Sequence, residues 1–217
     1  MSTVPIEDGG RGLVADWSSD RQAFHVSWGK AMMWIFLLSD TFIFGSFLTG
    51  YMTVRASITA TWPNPSEVFA LHVGATQVPL LLIAIMTFVL ITSSGTMAMA
   101  VNFAYSGQRA NAAALMVVTA AFGEMFVLMQ AFEWSKLLLE GMRPWENPWG
   151  AAQFGSVFFM ITGFHGLHVT GGVILLLLFA HRVLQGRADA STVEIVGLYW
   201  HFVDLVWVFI FAFFYLW

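Results

Sequence analysis

Five long apolar runs, separated by short polar or proline-bearing breaks, set the pattern along this chain. They cover roughly Gly29–Met52, Val78–Val101, Ala112–Leu139, Gln153–His181 and Val193–Trp217. Each is longer than the about 20 residues a helix needs to cross a hydrocarbon core of about 30 Å. Pro79 and Gly95 fall inside the second run, and neighbouring helices can satisfy the backbone groups they free. The breaks agree with the runs. Trp62-Pro63-Asn64-Pro65 interrupts the chain after the first, and Ser106-Gly107-Gln108-Arg109 is a tight polar turn after the second. The segment 141–150 holds Pro144, Pro148, Trp145 and Trp149. Tryptophan there suits the bilayer interface. There is no internal repeat and no low-complexity run. The pattern predicts an all-α, polytopic membrane helix bundle with five transmembrane helices, one domain over 29–217 behind a polar tail over 1–28.

Composition sharpens this picture. The chain is 217 residues long, 58% hydrophobic and 10% charged, against about 25% charged in soluble domains. Cysteine is absent, which excludes disulfides, iron–sulfur clusters and Cys-ligated copper in this chain. A net charge of −4 argues against nucleic acid as a partner. No apolar stretch with a small-residue cleavage site follows Met1; the start carries Glu7, Asp8, Arg11, Asp16, Asp20 and Arg21. The first span is therefore expected to direct its own insertion. Arg11, Arg21, Lys30, Arg109, Arg182 and Arg187 lie on one side of the five spans, and Arg55, Lys136 and Arg143 on the other. This bias predicts a cytoplasmic N-terminus and an outer C-terminus. The 21 Phe and 10 Trp are expected mainly on lipid-facing and interfacial surface.

The candidate chemistry lies where hydrocarbon should be. At 1.5 Å per residue, Asp40, Glu124, His165, His168, His201 and Asp204 all fall about 12–18 Å or more inside their spans. Ionisable groups at that depth should face protein or water. Glu133 lies nearer the outer surface, and nine residues separate it from Glu124, which puts the two acids on opposite faces. His165 and His168 share a face at i, i+3, as do His201 and Asp204. One arrangement turns the polar faces of the fourth and fifth spans towards each other, with Asp40 or Glu124 joining. Gly163, Gly166 and Thr170 would allow close helix approach there. Three roles are open for this cluster: pairing that fixes helix register, a proton or lipid-headgroup role, or a metal site built on His165, His168, His201 and carboxylates. Neither Glu124 nor Glu133 has a His three residues on, so the Glu-x-x-His signature of carboxylate metal sites is missing.

Three segments carry a family resemblance, in order: Leu128-Met129-Gln130-Ala131-Phe132-Glu133, Gly163-Phe164-His165-Gly166-Leu167-His168-Val169, and Tyr199-Trp200-His201-Phe202-Val203-Asp204-Leu205-Val206-Trp207. The ending Phe213-Phe214-Tyr215-Leu216-Trp217 agrees with them. Over about 30–217 the chain resembles subunit III of haem–copper terminal oxidases, in the five-span form that lacks the two-span pair of the longest members. Ser39-Asp40 stands where many cytochrome c oxidases carry a carbodiimide-reactive Glu, and Asp there is similar to quinol oxidases. Glu194 falls where many members carry an acid; Glu124 falls where an apolar residue is expected. The resemblance implies a non-redox accessory subunit of a proton-pumping complex that reduces oxygen to water in aerobic respiration. It implies no cofactor in this chain, with haem and copper in partner subunits. It also implies packing on subunit I beside subunit II, contact with membrane phospholipids, and support of proton uptake, in a multi-pass chain of the bacterial plasma membrane. The competing reading from the residues alone is a self-contained membrane metalloenzyme using His165, His168 and His201.

Overall fold

The computed structural model describes residues 26–73 and 76–216; the tail expected over 1–28 lies largely outside them. Five long helices carry the fold: α1 (Trp28–Ser57), α3 (Leu81–Tyr105), α4 (Arg109–Leu139), α5 (Ala152–Leu184) and α6 (Ala190–Tyr215). All five are long and apolar enough to cross a membrane. Between α1 and α3 sit a single turn, α2 (Pro65–Val68), and a short antiparallel hairpin of β1 (Ala70–Val73) and β2 (Thr76–Pro79). The expected spans match the five helices, with one correction. Pro79 does not lie in a span. It ends β2, Leu80 turns the chain through a left-handed conformation (φ 58°), and α3 starts at Leu81. The reason is local, since the residue before a proline is biased to extended backbone.

The turns follow from their glycines. Gly107, Gly141 and Gly186 have positive φ. In each case its N–H and that of the next residue bond back to carbonyls one and two positions before the last helical residue, as Gly107 does to Ala104 and Gln108 to Phe103. This is the glycine-closed helix stop. Asp189 starts α6: its carboxylate accepts from the Thr192 hydroxyl at 2.5 Å and from the Thr192 N–H at 2.9 Å. Those bonds, the hydroxyl first, hold the Asp189 carboxyl below the ordinary carboxylate range.

α4 lies between α3 and α5, and α6 closes the bundle against α3, α5 and α1. Trp200 marks the centre. Its ring fills the space beside Gly123 of α4 and Gly172 of α5, and its indole N–H donates to Ser93 Oγ of α3 at 2.9 Å. The expected close-approach glycines are thereby corrected. Gly163 meets the ring of Trp134, but nothing approaches Gly166. The aromatic expectation also needs correction. Trp200, Trp207, Phe126, Phe154, Phe158 and Phe214 are fully buried, while Trp34, Phe42 and Phe88 are exposed. Large rings fill the wide gaps between long helices, so much of the aromatic content is core.

α1 is the peripheral helix. It buries only Leu37, Asp40, Phe44 and Tyr51, one narrow stripe turned towards α5 and α6. A cleft of about 560 Å³ remains between α1 and α6, lined by Leu37, Thr41, Phe44, His201, Val206 and Phe209 among others.

Candidate functional site: polar bridges among the spans

The seven ionisable residues predicted to form one intramembrane cluster do not meet at one point. They separate into three bridges, one isolated ring and one outward-facing acid, each fixed by the helix that presents it.

The first bridge joins α1 to α5. Asp40 is buried, and its Oδ2 lies 3.1 Å from His168 Nε2. His168 Nδ1 is 2.8 Å from the carbonyl of Phe164, one turn earlier in α5. A carbonyl can only accept, so Nδ1 carries the hydrogen. The contact with Asp40 then needs one further proton, held either on Nε2 as an ion pair or on the carboxyl as a neutral pair. The approach to Asp40 lies off the axis of a directed hydrogen bond, so the two groups are joined by proximity alone. Phe44 and Phe164 flank the His168 ring, and Tyr199 of α6 donates to the His168 carbonyl at 2.9 Å.

The second bridge joins α6 to α3. Ser94 Oγ lies 2.6 Å from Asp204 Oδ2 and 3.1 Å from His201 Nδ1. With its proton donated to the carboxylate, the serine oxygen accepts from Nδ1–H. His201 and Asp204 therefore share one hydroxyl. This corrects the expected pairing with α5: the partner is the second span, and α5 meets Asp40 instead. Ser94 went unrecognised in the sequence because a lone serine in a membrane helix usually bonds back to its own backbone. Its place at the level of the i, i+3 pair could be recognised only once α3 and α6 were known to be neighbours.

The third bridge lies within α4 and reaches α6. Glu133, near the end of α4, is buried inside the bundle. Gln130 Nε2 donates to its Oε2 at 3.0 Å, and Tyr215 donates to the same oxygen at 3.1 Å. Gln130 and Tyr215 both lie in segments that carry the family resemblance.

His165, one turn from His168, faces a different way. It is buried with both ring nitrogens lacking hydrogen-bond partners. Trp207 stacks on it at 5.3 Å, and Phe126 and Phe44 meet it edge-on. Glu124 is exposed on the outer side of α4. Its opposition to Glu133 across the helix is as the spacing predicts. Outside the cluster, Glu194 takes Lys30 of α1 as an ion-pair partner and accepts from Tyr105 of α3 at 2.6 Å.

Among the described residues no three His, Asp or Glu side chains converge on a point that a metal ion could occupy. The alternative of a metalloenzyme built on His165, His168 and His201 therefore has no ligand set here. His165 sits in its aromatic box, His168 is turned to Asp40, and His201 is turned to Ser94.

Comparison with known proteins agrees with the three motifs. The profile of the family described as "Cytochrome c oxidase subunit III" matches residues 20–217. A "Probable cytochrome c oxidase subunit 3" of Mycobacterium bovis is 35% identical over 181 residues, 82% of this chain and 82% of that protein. A "Cytochrome bo(3) ubiquinol oxidase subunit 3" of Pseudomonas putida is 29% identical over 186 residues, 84% and 83% of the two chains. A "Probable quinol oxidase subunit 3" of Staphylococcus epidermidis is 32% identical over 187 residues, 84% and 86%. The five membrane-spanning helices, the buried His and acid residues and these matches lead to one conclusion: the chain belongs to the cytochrome c oxidase subunit III family.

Proposed function

We propose that this chain is the non-redox subunit of a haem–copper terminal oxidase that packs on subunit I, beside subunit II, and supports proton delivery to it. The observation that carries this reading is the Asp40–His168 contact. It brings a carboxyl and an imidazole together between α1 and α5, and α1 leaves most of its apolar surface exposed. A surface of that kind suits another membrane subunit. Haem and copper then belong to the partner chains. Membrane phospholipids fit the apolar cleft between α1 and α6, where an acyl chain would lie against Leu37, Phe44 and Val206. The excess of Lys and Arg on one side of the spans favours a cytoplasmic N-terminus, in the plasma membrane of a bacterium.

The test removes the subunit from the purified oxidase and follows haem spectra and oxygen consumption across pH. The expected outcome is unchanged haem spectra and a substantial initial rate near neutral pH. The rate should fall at high pH, where protons are scarce. Asp40→Asn in the intact complex should reproduce part of that alkaline loss, and Asp40→Glu should restore it. Loss of haem spectra on removal would mean that the chain holds a redox centre. An unchanged alkaline rate would remove the proton role.

A further inference from the structure

Glu124 is the midpoint of α4, Arg109–Leu139, about 22 Å from either end at 1.5 Å per residue. It is exposed and has no hydrogen-bond or ion-pair partner among the described residues. Hydrocarbon solvates a carboxyl poorly, so an acid at mid-span should face protein or water. None of the described elements provides either.

The residues around Glu124 show a period. Ala114, Val117, Ala121, Glu124, Leu128 and Ala131 follow one another by alternating steps of three and four, and all are exposed. An average step of 3.5 is the seam by which one helix packs along another. Alanine at three of the six positions lets a second backbone come close. A single polar residue in such a seam selects register and partner. The inward face of α4 is separate and already occupied: Gly123 meets Trp200, Phe126 meets Trp207, and Glu133 meets Tyr215.

We propose that this outer seam of α4 docks one transmembrane helix of another chain of the oxidase, and that this helix carries a hydrogen-bond donor or cation level with Glu124. Charge complementarity selects the occupant. A carboxyl with no partner of its own needs a polar group beside it, and its oxygens accept from a donor or cation, while the flanking Ala, Val and Leu require an otherwise apolar helix. A second copy of this chain related by symmetry would set carboxyl against carboxyl. The inference does not depend on the proton role of Asp40, which lies on α1.

The experiment places a photo-crosslinking amino acid at Leu128 in the intact oxidase, with Glu124 kept, and identifies the coupled peptide by mass spectrometry. The expected product joins this chain to one other subunit, within an apolar helix bearing Lys, Arg, His, Asn, Gln, Ser or Thr near the coupled residue. Adding Glu124→Leu should lower the crosslink yield roughly 3- to 20-fold, the range for one side-chain hydrogen bond between membrane helices. Glu124→Gln should keep most of it. Lipid adducts alone, coupling to a second copy of this chain, or a yield that Glu124→Leu leaves unchanged would each overturn the proposal. A Glu124→Leu chain that fails to assemble leaves the Leu128 crosslink with native Glu124 to decide.

Discussion

Ser94 shows how much one hydroxyl can hold. It donates to Asp204 and accepts from His201, so Ser94→Ala strips a partner from two groups at once. A buried polar group left unsatisfied costs about 1–3 kcal/mol. We expect Ser94→Ala to lower the thermal stability of the detergent-solubilised complex by an amount in that range, with Ser94→Thr close to native. Equal melting temperatures for Ser94→Ala and the native chain would mean that water replaces the hydroxyl. At this scale the sequence was informative about which residues are unusual and poor at saying what they touch. Asp40, His168, His201 and Asp204 stand out because charge in an apolar run is costly. Their partners depend on which helices are neighbours, and no local pattern encodes that. His165 and His168 illustrate the limit. They lie within about 60° of each other on one helix, yet one meets a carboxylate and the other an aromatic box.

Helix lengths and stops were nearly all legible, because apolar runs, glycine stops and prolines are local signals. The exceptions are also local. Pro79 was absorbed into an apolar run that continues through a hairpin, and hydropathy cannot see a hairpin. Two glycines on neighbouring helices make opposite predictions. At Gly123 an added methyl would lie 2.4 Å from the Trp200 ring, a rigid group wedged against Gly172. Gly123→Ala should therefore destabilise by about 1–3 kcal/mol through overpacking. Gly95 has open space around it, and Gly95→Ala should be neutral or stabilise α3 by about 0.5–1 kcal/mol. Thermal melts of the two variants, compared in one detergent, check both signs. The start of α6 gives a pH prediction. Asp189 has a folded pKa below its unfolded value. Its stabilisation is therefore present above the unfolded pKa and is lost as pH falls through the folded one. Asp189→Ala should cost about 0.5–1 kcal/mol near neutral pH as a lost exposed cap. The gap from native should close in acid, and a gap that stays constant down to acid pH would exclude the charged cap.

For the whole molecule, the five-helix bundle follows from composition and run length, while its arrangement follows from Trp200 and the polar bridges. Removing the subunit from the oxidase should shorten the active lifetime during sustained turnover as well as the alkaline rate. Oxygen uptake followed to inactivation, with and without the subunit, measures this; equal lifetimes would exclude a protective role. The peripheral position of α1 has a consequence in time. α1 docks on α5 and α6, the last two of the five described spans to leave the ribosome. About 130 residues separate Asp40 from His168, and at roughly 5–20 residues per second their synthesis takes on the order of ten seconds. For that interval the first helix enters the membrane with its carboxyl unmatched, and α2, the hairpin, α3 and α4 must be laid down before its partner exists. Among the five described spans, birth order therefore runs opposite to docking order: the span made first is the last to be seated, and a nascent chain stalled before α5 would leave it unanchored.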